Sequence, residues 1–148
     1  MRTQVAPNAP QSLAGVIRLV SKYPPFRTYQ FGPMTETLAR QLRDGTNVVA
    51  IEQGRLVGYV GWVKTTREGA ERWMRGEGVP GPSGAEADAI VVTVLVAPDR
   101  KSILPMIRAL VDLNPGLPVY RKRSFQDGRP EMKRPPILGR ARRSGTRH

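Results

Sequence analysis

The run Ala89–Val96 is apolar on both of its faces, which is the pattern of a strand covered by other structure on each side. Such a strand fixes the class of fold, because a sheet built around it needs a layer against both faces. The rest of the chain supplies those layers. Ser12 is placed to cap a helix over 12–23 whose Leu13, Val16, Ile17 and Val20 share one face, until Pro24 and Pro25 end it. A second helix is expected after Gly32-Pro33, with Met34, Leu38 and Leu42 spaced by four and Gly45 as its stop. A hairpin follows, in which 47–52 and 56–64 are strands about the turn Gln53-Gly54. Residues 65–75 carry a short amphipathic helix with Ala70, Trp73 and Met74 inward. Beyond the central strand, Ser102 is expected to cap a helix over 102–113, with Pro105 in its first turn and Ile103, Met106, Ile107 and Leu110 on its buried face. Asn114-Pro115-Gly116 stops it, and 119–125 forms a last strand. The order helix, helix, hairpin, central strand, helix, strand predicts a single α/β domain with a mixed sheet flanked by helices.

Charge divides the chain. Of its 148 residues, 1–11 read as a flexible arm, 12–136 as the folded domain and 137–148 as a disordered basic tail. Residues 121–148 hold ten Lys or Arg against Asp127 and Glu131, so most of the formal charge of +12 is concentrated there. A basic tail attracts phosphates, anionic lipid or an acidic protein, and it can equally act only as a solvated extension. The absence of cysteine excludes disulfides and thiolate metal sites, and no stretch reaches the roughly 20 apolar residues of a membrane span. With no signal-peptide pattern at the start, a cytoplasmic location is expected.

The chemistry is constrained by what is missing. His148, the last residue, is the only histidine, and an imidazole at the end of a tail lacks the positioning that catalysis needs. Asp99 stands at the C-terminal end of the central strand, where functional groups collect in α/β sheets, but an aspartate before a helix is equally a cap. Asp88 reads as a loop residue. The hydroxyls of Tyr23, Tyr29 and Tyr59 are usable in acyl transfer, although a tyrosine with one wet end is usually structural. Gly58 and Gly61 in one strand mark either a bend or the border of a ligand groove. The aromatic connection Tyr23-Pro24-Pro25-Phe26-Arg27-Thr28-Tyr29 reads as a loop packed over the core before it reads as a ligand site.

Gly58-Tyr59-Val60-Gly61-Trp62, following Gly54-Arg55-Leu56-Val57, resembles the corresponding strand of the GNAT acyltransferase superfamily. Ordinary members open the next helix with a Gly-rich turn that cradles the pyrophosphate of acetyl-CoA. Here that segment is Ala97-Pro98-Asp99-Arg100-Lys101-Ser102, without glycine, and no acetyl-CoA site is expected. Tyr23-Pro24-Pro25-Phe26-Arg27, the Gly58–Trp62 stretch, Val96-Ala97-Pro98, Asn114-Pro115, Tyr120-Arg121-Lys122-Arg123 and Gly128 together resemble, in order and spacing, the toxin-activating lysine acyltransferases of RTX toxins. That resemblance implies an acyl carrier protein as acyl donor. It also implies a histidine base or nucleophile at the position of Phe26 and a supporting aspartate at that of Val94, and neither replacement can shuttle a proton. The expectation is therefore a divergent acyltransferase-like protein without the ancestral dyad, with Asp99 as a weak catalytic candidate. Arg121, Lys122, Arg123 and Arg129 are its candidate binding residues for the carrier or another acidic partner. The alternative is a basic nucleic-acid-binding or scaffold module, in which those residues with Lys133 and Arg134 contact phosphates.

Overall fold

The computed structural model describes residues 1–23, 26, 29–78, 86–123, 132–133 and 135–138. Its centre is a six-stranded sheet in the order β1-β2-β3-β4-β5-β8, comprising β1 (Arg2–Gln4), β2 (Asn47–Glu52), β3 (Arg55–Thr65), β4 (Ala89–Val96), β5 (Pro118–Tyr120) and β8 (Ile137–Leu138). All neighbours run antiparallel except β4 and β5. The helices are α1 (Pro10–Val20), α2 (Phe31–Asp44), α3 (Arg67–Met74) and α4 (Arg100–Leu113). The mixed sheet with helices on both faces agrees with the expected fold class, and the doubly apolar run is an inner strand, as its pattern demands.

Layering follows from alternation along the strands. Ile90 and Val92 of β4 join Val60, Trp62, Met106 and Leu110 in the core beneath α4. Val94 and Val96 join Tyr59, Val16, Val20, Leu38 and Leu42 beneath α1 and α2. Ala89 and Val91 pack with Ala70 of α3 and with Tyr120. Since Ala89 and Val91 alternate with Ile90 and Val92, α3 covers the face opposite α4.

Helix ends differ from the sequence expectation in instructive ways. Ser12 is not a cap, because α1 starts earlier at Pro10, whose fixed φ and missing N–H suit the first helical position. Helix α4 starts at Arg100 with Asp99 as its cap, and Ser102 supplies the N–H that Asp99 accepts. Pro105 consequently lies inside the helix and leaves the Lys101 carbonyl without its usual donor. The stop of α2 is as expected: Gly45 adopts φ 67° and its N–H returns to Gln41 O.

The ends of the chain also differ. Residues 2–4, expected in a loose arm, pair with β2, and Ala6 N donates to the buried Asn47 Oδ1 at 2.9 Å. Ile137 and Leu138, assigned to the tail, form β8 against β5, with Ile137 packed on the α4-side core. Two apolar residues suffice because they complete an existing sheet edge. The single strand expected over 119–125 is divided: β5 stops at Tyr120, and β6 (Lys122–Arg123) pairs instead with β7 (Met132–Lys133) in a separate two-stranded sheet. A run of three cations cannot continue within a sheet covered on both faces, and Lys122 Nζ instead lies 4.3 Å from the centre of the Trp73 ring. The remainder of the tail, 139–148, lies outside the described residues.

Candidate functional site

Strands β4 and β5 are parallel neighbours only at Ile90↔Val119 and Val91↔Tyr120. Beyond Val91, β4 runs five residues further to Val96 with no pairing to β5, so the sheet opens between them toward the N-terminus of α4. The same stretch of β4 is irregular on its other side. Gly61 pairs with Val94 and Trp62 with Val92, which leaves Thr93 as an extra residue, a β-bulge. The bulge reverses the alternation: Val92 points toward α4, whereas Val94 and Val96 point toward α1 and α2.

A buried polar chain meets the bulge. Tyr59 Oη donates to Gln41 Oε1 at 2.7 Å, and Gln41 Nε2 donates to Thr93 Oγ1 at 2.9 Å. Tyr59 is fully buried and Gln41 is 2% exposed. Burial pushes the Tyr59 phenol far above the ordinary tyrosine range, so it is a neutral donor. Asn47 ties this chain to the fold, its Nδ2 donating to Gln41 O at 2.9 Å. Gly61 makes room for the Gln41 amide, because a Cβ there would lie 2.9 Å from Nε2 and closer still to the rest of the carboxamide. At Gly58 a Cβ would meet Met106 Sδ at 2.9 Å and Val96 O at 3.1 Å. Close packing against neighbouring side chains and backbone therefore gives both glycines a reason, and Gly61 lies at the register shift between β3 and β4.

The two positions implied by the resemblance come together in one apolar cluster. Val94 is 2% exposed within it, and Phe26 packs against it half-buried while meeting the Tyr29 ring edge-on at 5.5 Å. Asp99 is a cap: its Oδ1 accepts from Ser102 N and from Ser102 Oγ, both at 2.8 Å. Those hydrogen bonds hold its carboxyl below the ordinary range, so it is a poor general base. Asp88 accepts from Arg67 N at 2.7 Å ahead of α3, a structural role. Arg121 sits half-buried between β5 and β6, and Lys122 and Arg123 form β6, with the half-buried Lys122 over Trp73 of α3. Arg129, Arg134 and His148 lie outside the described residues. Among the described residues, no three of His, Cys, Asp or Glu cluster to hold a metal ion, and no helix is long and apolar enough to cross a membrane.

Sequence reasoning missed Gln41 and Thr93. Two signals were available: Gln41 falls three residues after Leu38 on the inward stripe of α2, and Thr93 is the one hydroxyl in the apolar run of β4.

The fold is shared with solved structures. The GNAT-like decarboxylase GphF, solved in complex with isobutyryl-CoA, superposes with a TM-score of 0.61 at 18% identity, over 85% of this chain and 68% of that one. A GNAT-family acetyltransferase from Streptococcus agalactiae gives 0.59 at 11% identity, over 86% and 77%. The loading GNATL domain of CurA from Lyngbya majuscula gives 0.57 at 9%, over 87% and 69%. The fold is that of the GNAT acyltransferases. No protein-family model matches the sequence, and no curated protein matches it.

Proposed function

We propose that this protein binds an acyl thioester in the opening between β4 and β5, as a divergent relative of the toxin-activating lysine acyltransferases that no longer performs their His/Asp transfer step. The observation that carries this reading is the apolar contact cluster holding Val94 and Phe26, the positions where that family has its ionisable pair. The half-buried Phe26 ring offers an acyl chain an apolar surface, and neither it nor the buried Val94 offers a nucleophile a base. The carrier is a protein in preference to a nucleotide. The Asp99 carboxylate already accepts from the Ser102 N–H in the first turn of α4 and places a negative charge where a pyrophosphate would bind. An acyl carrier protein or another acidic partner suits the cations Arg121, Lys122, Arg123 and Arg129.

The test incubates the full chain with a fatty acyl carrier protein and a lysine-rich acceptor peptide, and follows both complex formation and peptide mass. Binding without acyl transfer above the buffer rate is expected. Transfer would overturn the loss of catalysis, and failure to bind any acyl carrier would overturn the acyl-binding role. Duplex and single-stranded nucleic acid titrated at several salt concentrations provide the contrast. Nucleic-acid affinity that exceeds carrier affinity, with a log–log salt slope near −0.9 per phosphate contacted, would replace the acyl reading with the nucleic-acid one.

A further inference from the structure

Aromatic residues crowd into one connection. Four of the chain's seven Phe and Tyr, namely Tyr23, Phe26, Tyr29 and Phe31, fall within nine residues between the end of α1 and the first residue of α2. They divide by exposure. Tyr23 and Phe26 are half-buried and pack against the cluster beneath α1 and α2, and Phe26 meets the Tyr29 ring edge-on. Tyr29 is 52% exposed and Phe31 74%, the largest exposure of any large apolar side chain among the described residues. Two rings left in water three residues apart, on a half-buried aromatic base, form a patch and not a scatter of single exposed residues.

The charge around this patch has one sign. Four cations and no carboxylate side chain precede Glu36, the first acidic residue of the chain. Two of those cations stand beside the aromatic connection: Arg18 in the last turn of α1 and Lys22 two residues beyond its end, both exposed. Among the described residues, neither is in an ion pair. A folded partner would need about 800 Å² of matched surface, whereas two partly exposed rings supply on the order of 300 Å². A bilayer asks for no matched shape. It takes aromatic rings at the level of its headgroups, and an anionic one attracts cations held beside them.

We infer that the connection between α1 and α2 is a peripheral membrane-docking surface, in which Phe31 and Tyr29 enter the headgroup region of an anionic bilayer while Arg18 and Lys22 meet its phosphates. Phe26 joins that surface to the cluster holding Val94 and Val96, in the stretch of β4 that has no pairing to β5. Docking therefore turns the open end of the sheet toward the bilayer. Membrane docking goes beyond acyl binding and does not depend on it.

The test sediments the full-length chain with vesicles of phosphatidylcholine alone and of phosphatidylcholine mixed with phosphatidylserine. Binding to the mixed vesicles is expected, with much weaker binding to the neutral ones. Phe31→Ser alters an exposed side chain, so it should leave the Tm unchanged while weakening binding about fivefold, the order set by withdrawing part of one aromatic ring from the bilayer. Arg18→Gln combined with Lys22→Gln should weaken it about tenfold or more, a loss that shrinks at high salt. Attachment by the basic C-terminal residues alone would also sediment the chain, so position is read separately. Measured against wild type, the indole introduced by Phe31→Trp should shift its emission to the blue on mixed vesicles and be quenched by brominated phosphatidylcholine in them. Full-strength binding by Phe31→Ser, or an indole that brominated lipid leaves unquenched, would overturn the inference and assign vesicle binding to the C-terminal cations. Equal binding to both kinds of vesicle, or to neither, would overturn it as well. Binding of an acidic carrier protein that depends on Phe31, with vesicles ignored, would give the surface to a protein partner instead.

Discussion

Gly61→Ala isolates the fit between β3 and α2. The added methyl would fall on the Gln41 carboxamide, 2.5 Å from Cδ and 2.9 Å from Nε2, and Gln41 has nowhere exposed to move. Displacing it breaks the hydrogen bonds to Tyr59 and Thr93, about 1 kcal/mol each, and strands a buried phenol proton at a further 1–3 kcal/mol. Alanine returns about 0.5–1 kcal/mol by restricting the unfolded backbone. The net expectation is a loss of about 3 kcal/mol, or a fall in Tm of about 6–12 °C for a chain of this size. Urea unfolding should be measured for Gly61→Ala, Gln41→Ala and the double variant. In the Gln41→Ala background the methyl has nothing to displace, so the substitution should be neutral or slightly stabilising there. An equal cost in both backgrounds would refute the reasoning, because the penalty would then lie in the strand and not in the glutamine.

Other perturbations follow the same geometry. Val94→Asp places a carboxylate in an apolar cluster and should cost about 3–5 kcal/mol, a loss that adding Phe26→His reduces if the two positions can still pair; denaturant midpoints of the single and double variants decide it. Thr66→Ala removes the side chain that accepts from Gly69 N ahead of α3, and should cost about 1 kcal/mol by thermal unfolding. The Tyr59 phenol has a folded pKa above its unfolded value, so its contribution is complete below about pH 10 and is lost as pH rises and the unfolded state ionises; Tyr59→Phe should flatten that alkaline decline in stability. Asp99 behaves in the opposite sense. Its folded pKa is depressed, so its capping contribution is present above about pH 4 and fades as pH falls through the folded value, and Asp99→Asn should show a shallower acid loss than wild type.

The elements that periodicity alone defines were legible: β4 matches Ala89–Val96 residue for residue, and β2 matches 47–52. Pattern reading failed where a choice depended on partners far away in sequence. Arg2–Gln4 has no strand signal of its own and becomes one because β2 offers an open edge. Asp99 and Ser102 are both good caps, and only the start of α4 at Arg100 selects between them. The parting of β5 from β6 reflects Trp73 on α3, almost fifty residues earlier, drawing Lys122 out of the sheet line. At the candidate site the substitutions at Phe26 and Val94 were visible as sequence, whereas the Tyr59–Gln41–Thr93 chain was not. It needs a glycine on β3, one helix face and a bulge in register, and no local pattern encodes that coincidence.

The bulge at Thr93 gives β4 two phases joined at one residue, and this has a consequence for how the sequence can drift. Ile90 and Val92 answer to α4, while Val94 and Val96 answer to α1 and α2. Changes of side-chain volume at Ile90 or Val92 should therefore be compensated at Met106 or Leu110, and changes at Val94 or Val96 at Val16, Val20, Leu38 or Leu42. Loss of one residue at the bulge would exchange those allegiances along the rest of the strand. Variation among sequences of this kind should accordingly show two groups of co-varying positions that meet at Thr93 and do not mix, with length changes in β4 excluded more strictly than substitutions.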